Sequence, residues 1–299
     1  MNDVDNKQHK RVTLGISLAL ISSLIFAFVP NFAKIALDSG VSLFFLVISR
    51  YAIGALVLVF VMQLTRKKLR GLSSEQIFRI VISGFSACAV ISLTYHAVEY
   101  LDVGVVMIVL YCFPIGVAVV LKIQEKQQLL KKQWFFMALA VLGLSVMLAD
   151  KNFDLNIYGL AISFFGLIFF IAFIITAADL SDEIGAISFN FYISLIGIIL
   201  LTLVYISPLE ITVSISKNLI GHFSIIGNGI FYIFSWVIFF ESSRILGATR
   251  TSVIACSEPL FAALLAIPLL GQKLSLVEWF GFSVALVSLY MFEKKKSAN

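Results

Sequence analysis

Apolar residues arrive in long blocks separated by short polar connections along the whole of this 299-residue chain. Ten blocks can be drawn, at 12–36, 42–64, 77–97, 103–123, 133–149, 157–178, 187–206, 219–240, 249–270 and 276–292. Blocks of about 20 residues match a hydrocarbon core crossed as helix, whereas an outer-membrane barrel alternates apolar and polar positions in segments of about ten. The pattern predicts an all-α membrane protein with ten transmembrane helices. The first block lacks a small-residue cleavage site, so it is expected to stay as a span. The longest connection, from Ser207 to Asn218, leaves no room for a soluble domain.

The blocks repeat. At an offset of 145 positions Pro114 matches Pro259, Trp134 matches Trp279, Gln127 matches Gln272 and Leu129 matches Leu274, and Leu101/Leu246, Ala118/Ala263 and Phe135/Phe280 follow without a gap. Residues 1–150 then hold spans one to five and residues 151–299 hold spans six to ten. Five is odd, so the second copy enters the membrane from the opposite side, giving two inverted five-helix repeats. Charge agrees with this. The hinge between spans three and four carries Glu99 and Asp102, while its equivalent between spans eight and nine carries Arg244 and Arg250.

Composition sharpens the class. Hydrophobic residues make up 60% and charged residues 13%, where a soluble domain has about a quarter charged. The net charge of +5 is spread unevenly. One set of helix ends holds Lys7, Lys10, Arg11, Arg66, Lys67, Lys68, Arg70, Lys122, Lys126, Lys131, Lys132, Arg244, Arg250, Lys294, Lys295 and Lys296; the other holds only Lys151, Lys217 and Lys273. The positive-inside rule makes both termini cytoplasmic, and the expected location is a bacterial inner membrane. An acidic loop at Asp179, Asp182 and Glu183 falls on the cytoplasmic side without a single Lys or Arg of its own. The basic ends read as anchors on anionic headgroups, so the lipid bilayer and not nucleic acid is the expected partner. Cys88, Cys112 and Cys256 lie inside apolar blocks and form neither a disulfide framework nor a metal spacing, and no cofactor is expected.

Chemistry concentrates at Glu258-Pro259, near the middle of the ninth block. A carboxylate in hydrocarbon costs at least ~2.5–3.5 kcal/mol, so Glu258 should face a polar cavity or a partner. Pro259 offers no N–H and frees carbonyls near Ala255 at the same depth. Inverted repeats with proline-interrupted helices in corresponding places point to a secondary transporter whose site lies between the copies.

The chain resembles the EamA type of the drug/metabolite transporter superfamily over nearly its whole length. The closest likeness runs through Ile245-Leu-Gly-Ala248, Ser257-Glu258-Pro259-Leu-Phe-Ala-Ala-Leu-Leu-Ala266 and Leu269-Leu-Gly271-Gln-Lys-Leu274, which are similar to the family's Glu-Pro helix followed by Leu-Gly-Glu-x-Leu. Tyr95-His-Ala97, Leu101 and Phe113-Pro114 carry it in the first repeat, and Arg50-Tyr-Ala-Ile-Gly-Ala55 and Lys34 resemble the family's second-span arginine and first-span lysine. Gln272 stands where the family has Glu, and Phe26-Ala27 where it has Trp-Gly. The resemblance implies export or exchange of small organic metabolites, amino acids among them, with protons as the candidate coupling ion.

Each candidate residue has a structural alternative. Glu258 is a partner for a substrate ammonium or a proton carrier, or else a hydrogen bond between helices. Lys34 and Arg50 attract a carboxylate or phosphate at the outer mouth, or else pair with neighbours, Lys34 with Asp38 one turn on. His96 is a proton relay or an interface residue. Tyr111 sits at the depth of Glu258 and can point into the cavity. Asn190, Asn228, Tyr232 and Trp236 interrupt apolar spans, and Trp236, near mid-helix, can stack on substrate. Small faces such as Gly281-x-x-x-Ala285 suit close helix packing.

The expected function is a secondary carrier moving a small polar solute, with an amino-acid-like molecule favoured, by rocking of the two halves; the chain acts as a monomer or a homodimer. No Gly-x-x-x-x-Gly-Lys-Ser/Thr loop occurs to bind ATP phosphates. A lipid-modifying membrane enzyme would gather His, Asp or Glu near one interface, yet His9, His96 and His222 are scattered. A channel would repeat polar residues along one face, and here they are isolated at mid-depth.

Overall fold

The computed structural model describes residues 3–67, 69, 71–149, 156–208 and 211–294, with side chains from Gln8 onward. Lys68, Arg70, Lys151, Lys295 and Lys296, which enter the charge count, lie outside the described residues, as do the side chain of Lys7 and the join expected at 150/151. Every regular element among the described residues is a helix: α1 (Asp3–Phe26), α2 (Phe28–Asp38), α3 (Leu43–Leu64), α4 (Ser74–Val98), α5 (Val103–Leu110), α6 (Phe113–Ile123), α7 (Lys131–Leu148), α8 (Ile157–Ile184), α9 (Ala186–Tyr205), α10 (Leu219–Leu246), α11 (Ala248–Ala255), α12 (Glu258–Leu270) and α13 (Leu276–Glu293). They make ten segments long and apolar enough to cross a membrane, three of them broken: α1/α2, α5/α6 and α11/α12.

The helices keep the offset seen in the sequence. Helices α4 and α10 begin at 74 and 219, α5 and α11 span 103–110 and 248–255, α6 and α12 begin at 113 and 258, and α7 and α13 span 131–148 and 276–293. Each pair differs by 145. Even the turns that need a left-handed residue correspond, Gly40 and Gly185 having φ of 85° and 86°. An odd number of spans per unit sets the two repeats upside down to one another. Packing shows the same exchange: α4 lies on α8 as α10 lies on α1 and α2, while α3 pairs with α9 and α7 with α13.

Local chemistry fixes the ends. Ser73 and Gln76 form a reciprocal capping box at α4, and Ser275 and Glu278 form one at α13. Asn156, Asn218 and Asp102 cap α8, α10 and α5 through backbone N–H groups of Gly159, Gly221 and Gly104. Helices α7 and α13 touch through their backbones: a Cβ on Gly281 would stand 2.5 Å from the Met147 nitrogen and 2.7 Å from the Gly143 oxygen. The small face of α13 therefore serves packing.

The acidic segment Asp179, Asp182 and Glu183 is not a loop. No Gly or Pro lies between Gly166 and Gly185, so α8 continues through it to Ile184. Its charge is answered across the repeats, by Lys126 on Asp179 at 2.8 Å and Arg79 on Glu183 at 2.6 Å. This accounts for acidic residues on the face that holds most of the Lys and Arg. That face, which bears the start of α1, is called the terminal face below, and its opposite the distal face.

Candidate functional site

Two helix breaks face each other in the middle of the bundle. Pro114 and Pro259 stand in the first turn of α6 and α12, where a missing N–H costs nothing to the helix that follows but denies a donor to the one before. The preceding turns tighten to i→i−3 bonds at equivalent places, Cys112 to Val109 at 3.1 Å and Ser257 to Ile254 at 2.9 Å. Tyr111, from the break in the first repeat, turns its hydroxyl toward the carboxyl of Glu258 in the second, and Cys256 lies near both Glu258 and Cys112. Glu258 is part-buried in the first turn of α12, where the positive end of the helix dipole suits a carboxylate. It lies about 15 Å along its span from Ala248, given a rise of 1.5 Å per residue. Along α11 and at its break, the hydroxyls of Thr249, Ser252 and Ser257 are buried without a partner.

A third break, at Ala27 between α1 and α2, comes from Pro30. The Asn31 amide spans it, donating to the Ala27 carbonyl at 2.9 Å and to Ala262 of α12 at 3.3 Å. The opened α2 backbone is also held from α10, where Asn228 Nδ2 donates to the Val29 carbonyl at 2.8 Å. Asn228 Oδ1 in turn accepts from Arg50 Nε at 2.9 Å. Arg50 is only 8% exposed, and its guanidinium lies 4.8 Å from the centre of the Tyr232 ring.

Tyr232 opens an aromatic group that leads inward. Its ring meets Tyr51 at 6.0 Å, Phe26 at 5.9 Å and Trp236 at 6.3 Å, and Trp236 stacks on Phe240 at 5.5 Å. Tyr51 can pack so deeply because α9 presents Gly197, where any Cβ would fall 2.8 Å from the ring. The same apolar cluster reaches Tyr111 and Ala255 at the facing breaks.

The structure thus gathers Glu258, Tyr111, Trp236, Tyr232 and Arg50 into one connected interior. Lys34, His96 and Asn190 lie apart from it. Lys34 is exposed on α2 and forms the i,i+4 ion pair with Asp38 at 2.9 Å. His96, at the distal end of α4, contacts Glu99 at 3.1 Å and Tyr158 of α8 at 3.5 Å. Asn190 is buried and donates back to Ala186 of its own helix at 2.8 Å. Tyr51, Asn31 and the break at Ala27 were not singled out from sequence, although Pro30 was a readable signal for the break. A shallow groove of about 190 Å³ beside Phe44, Ile48 and Tyr205 sits at the distal ends of α3 and α9, away from these residues, and is apolar. Among the described residues no three His, Cys, Asp or Glu side chains gather to hold a metal ion.

Comparison with known proteins agrees with the duplicated helical fold. The model of the EamA-like transporter family matches residues 13–149 and again 157–293. The fold is similar to that of one crystal structure with a TM-score of 0.76 at 12% identity, covering 93% of this chain and 97% of the other. No curated protein matches the sequence.

Proposed function

This chain belongs to the EamA-like transporter family, and on that premise we propose that it is a secondary carrier moving a small, amino-acid-like metabolite by alternating access. One observation carries the reading: a carboxylate at mid-span, Glu258, stands at a helix break and is faced by Tyr111 from the break of the other repeat. Neither lipid nor packing requires an acid there. An ammonium group on the solute, or a proton, would give it a partner that changes as the protein cycles.

The two repeats supply the motion. In the proposed cycle the contacts between them at one face part while those at the other hold. At the terminal face these contacts are the Lys126–Asp179 and Arg79–Glu183 ion pairs. At the distal face they are the bonds between Ser42 and Ser214, whose backbone and side-chain groups meet at 3.0 Å. The terminal face is assigned to the cytoplasm by its Lys and Arg excess, and the membrane to a bacterial inner membrane.

Uptake into proteoliposomes tests the proposal, with labelled amino acids, amines and organic acids supplied one at a time. Saturable uptake of at least one zwitterionic solute, competed by its own kind, is the expected result. Absence of saturable uptake for every class overturns it.

A further inference from the structure

Around the ring of Tyr232, three side chains hold hydrogen-bond donors without a good acceptor. Arg50 spends its Nε on Asn228, and its two terminal nitrogens have no carboxylate, carbonyl or hydroxyl among the described residues. The Tyr51 hydroxyl and Trp236 Nε1 are buried and unpartnered. Both face the Tyr232 hydroxyl, and the Tyr51 hydroxyl also lies near Cys88. We propose that these donors form a carboxylate-binding subsite within the solute pathway, a proposal that rests on reading the mid-membrane site as that of a carrier.

Three observations lead there. First, a guanidinium on a residue only 8% exposed, with no counter-charge among the described residues, is unfavourable in an apolar interior. A carboxylate supplied by the solute would balance it, through the bidentate geometry that Arg offers. Second, the Arg50 nitrogens and Trp236 Nε1 can only donate and the Tyr51 hydroxyl can donate beside them, so together they suit an acceptor-rich ligand group. Third, the site holds one cation. Lys34 and His222, other basic side chains in the distal half of these spans, are exposed, and Lys34 is committed to Asp38. A single positive charge matches a carboxylate, whereas a phosphate near neutral pH carries up to two negative charges and would call for a second cation.

The subsite is also held in place. Asn228 is fixed at both ends, by Arg50 and by the Val29 carbonyl, and the guanidinium rests on the Tyr232 ring. Phe26 and Trp236 continue the wall toward Tyr111 and Glu258. An α-amino acid would present its carboxylate to Arg50, with its side chain along the aromatic wall.

The test measures binding to the purified full chain in lipid nanodiscs. The probes are the standard α-amino acids, each with its carboxamide and its decarboxylated amine, together with inorganic phosphate and glycerol 3-phosphate. The wild type is expected to prefer at least one amino acid over its carboxamide by about tenfold to a hundredfold, as befits a charge-assisted bond. Arg50→Gln should erase that preference while leaving amine affinity unchanged, Arg50→Lys should keep part of it, and Tyr51→Phe should weaken it in the same direction. Should Arg50→Gln fail to fold, the other two variants decide. A preference unchanged in every folded variant overturns the subsite and leaves the carrier reading intact. Tighter binding of either phosphate probe than of any amino acid overturns the carboxylate assignment. Arg50-dependent binding of amino acids without flux in proteoliposomes supports the subsite and overturns the carrier.

Discussion

The two facing breaks occupy equivalent positions in the repeats and carry different chemistry. In the first repeat α6 starts on Phe113-Pro114, and Phe113 is a buried part of the apolar core. In the second, α12 starts on Glu258-Pro259, and the equivalent of Tyr111 is Cys256. If Tyr111 meets Glu258 across the pseudo-two-fold axis, its mirror contact is Cys256 with the start of α6, and α11 does pack on α6 there. One contact is polar and the other apolar. Duplication supplied the geometry twice, while the acid was kept or acquired once. The lesson is that symmetry explains where the breaks are, and only the departure from symmetry locates the charge that a solute or proton can use.

The first spans of the repeats differ as well. Pro30 breaks the first at Ala27, whereas the equivalent stretch of α8, around Ala172 and Ile175, runs unbroken. Only the first repeat therefore brings opened backbone of a leading span against α10 and α12, through Asn228 and Asn31.

The largest effect that can break this comparison is one of sidedness. Gln128 and Lys273 are equivalent, exposed loop residues that follow α6 and α12. A membrane-impermeant maleimide applied to sealed cells should label Lys273→Cys at once and Gln128→Cys only after permeabilisation, with the native cysteines as background. Labelling of both from one side would mean parallel repeats. Next is packing. Gly281 touches the backbone of α7, but its equivalent in the first repeat is the part-exposed Phe136. Overpacking there should cost about 1–3 kcal/mol, so Gly281→Ala should lower the melting temperature in detergent more than Phe136→Leu does. Equal losses would remove the asymmetry of the α7–α13 contact.

A smaller effect is expected at Pro30. Pro30→Ala returns an N–H that can reach the Phe26 carbonyl, so α1 and α2 become more like α8. Stability should change by about 1 kcal/mol or less while solute flux falls. Unchanged flux would show that the extra break is idle. The smallest is at the terminal face, where Lys126 and Asp179 are both well exposed. Lys126→Gln should alter the melting temperature by the equivalent of about 1 kcal/mol at most, because exposed ion pairs contribute little.

Much of the fold was legible in the chain because hydrophobic block length and a gapless 145-residue offset are one-dimensional signals, preserved in the helix starts of α4, α5, α6 and α7 and their partners. The acidic end of α8 was misread as a loop because its stabilising partners, Lys126 and Arg79, are more than 50 residues away in sequence. The site was legible only as separate residues. Glu258 advertises itself by its cost in hydrocarbon, and Trp236 by its depth. Tyr51 does not, since a tyrosine in an apolar span looks like any other until Gly197 and Tyr232 close around it. Whether Lys34 turned inward or toward Asp38 depended on helix rotation, which sequence leaves free.

The most direct test compares Glu258→Gln with its mirror, Phe113→Leu, by initial rates of solute uptake in proteoliposomes at matched protein content. The account predicts that Glu258→Gln lowers uptake by about tenfold or more, as expected for loss of a charge-assisted contact, and that Phe113→Leu stays within about threefold of wild type, as expected for a near volume-conserving swap. Full uptake by Glu258→Gln, or equal losses in both variants, would contradict it.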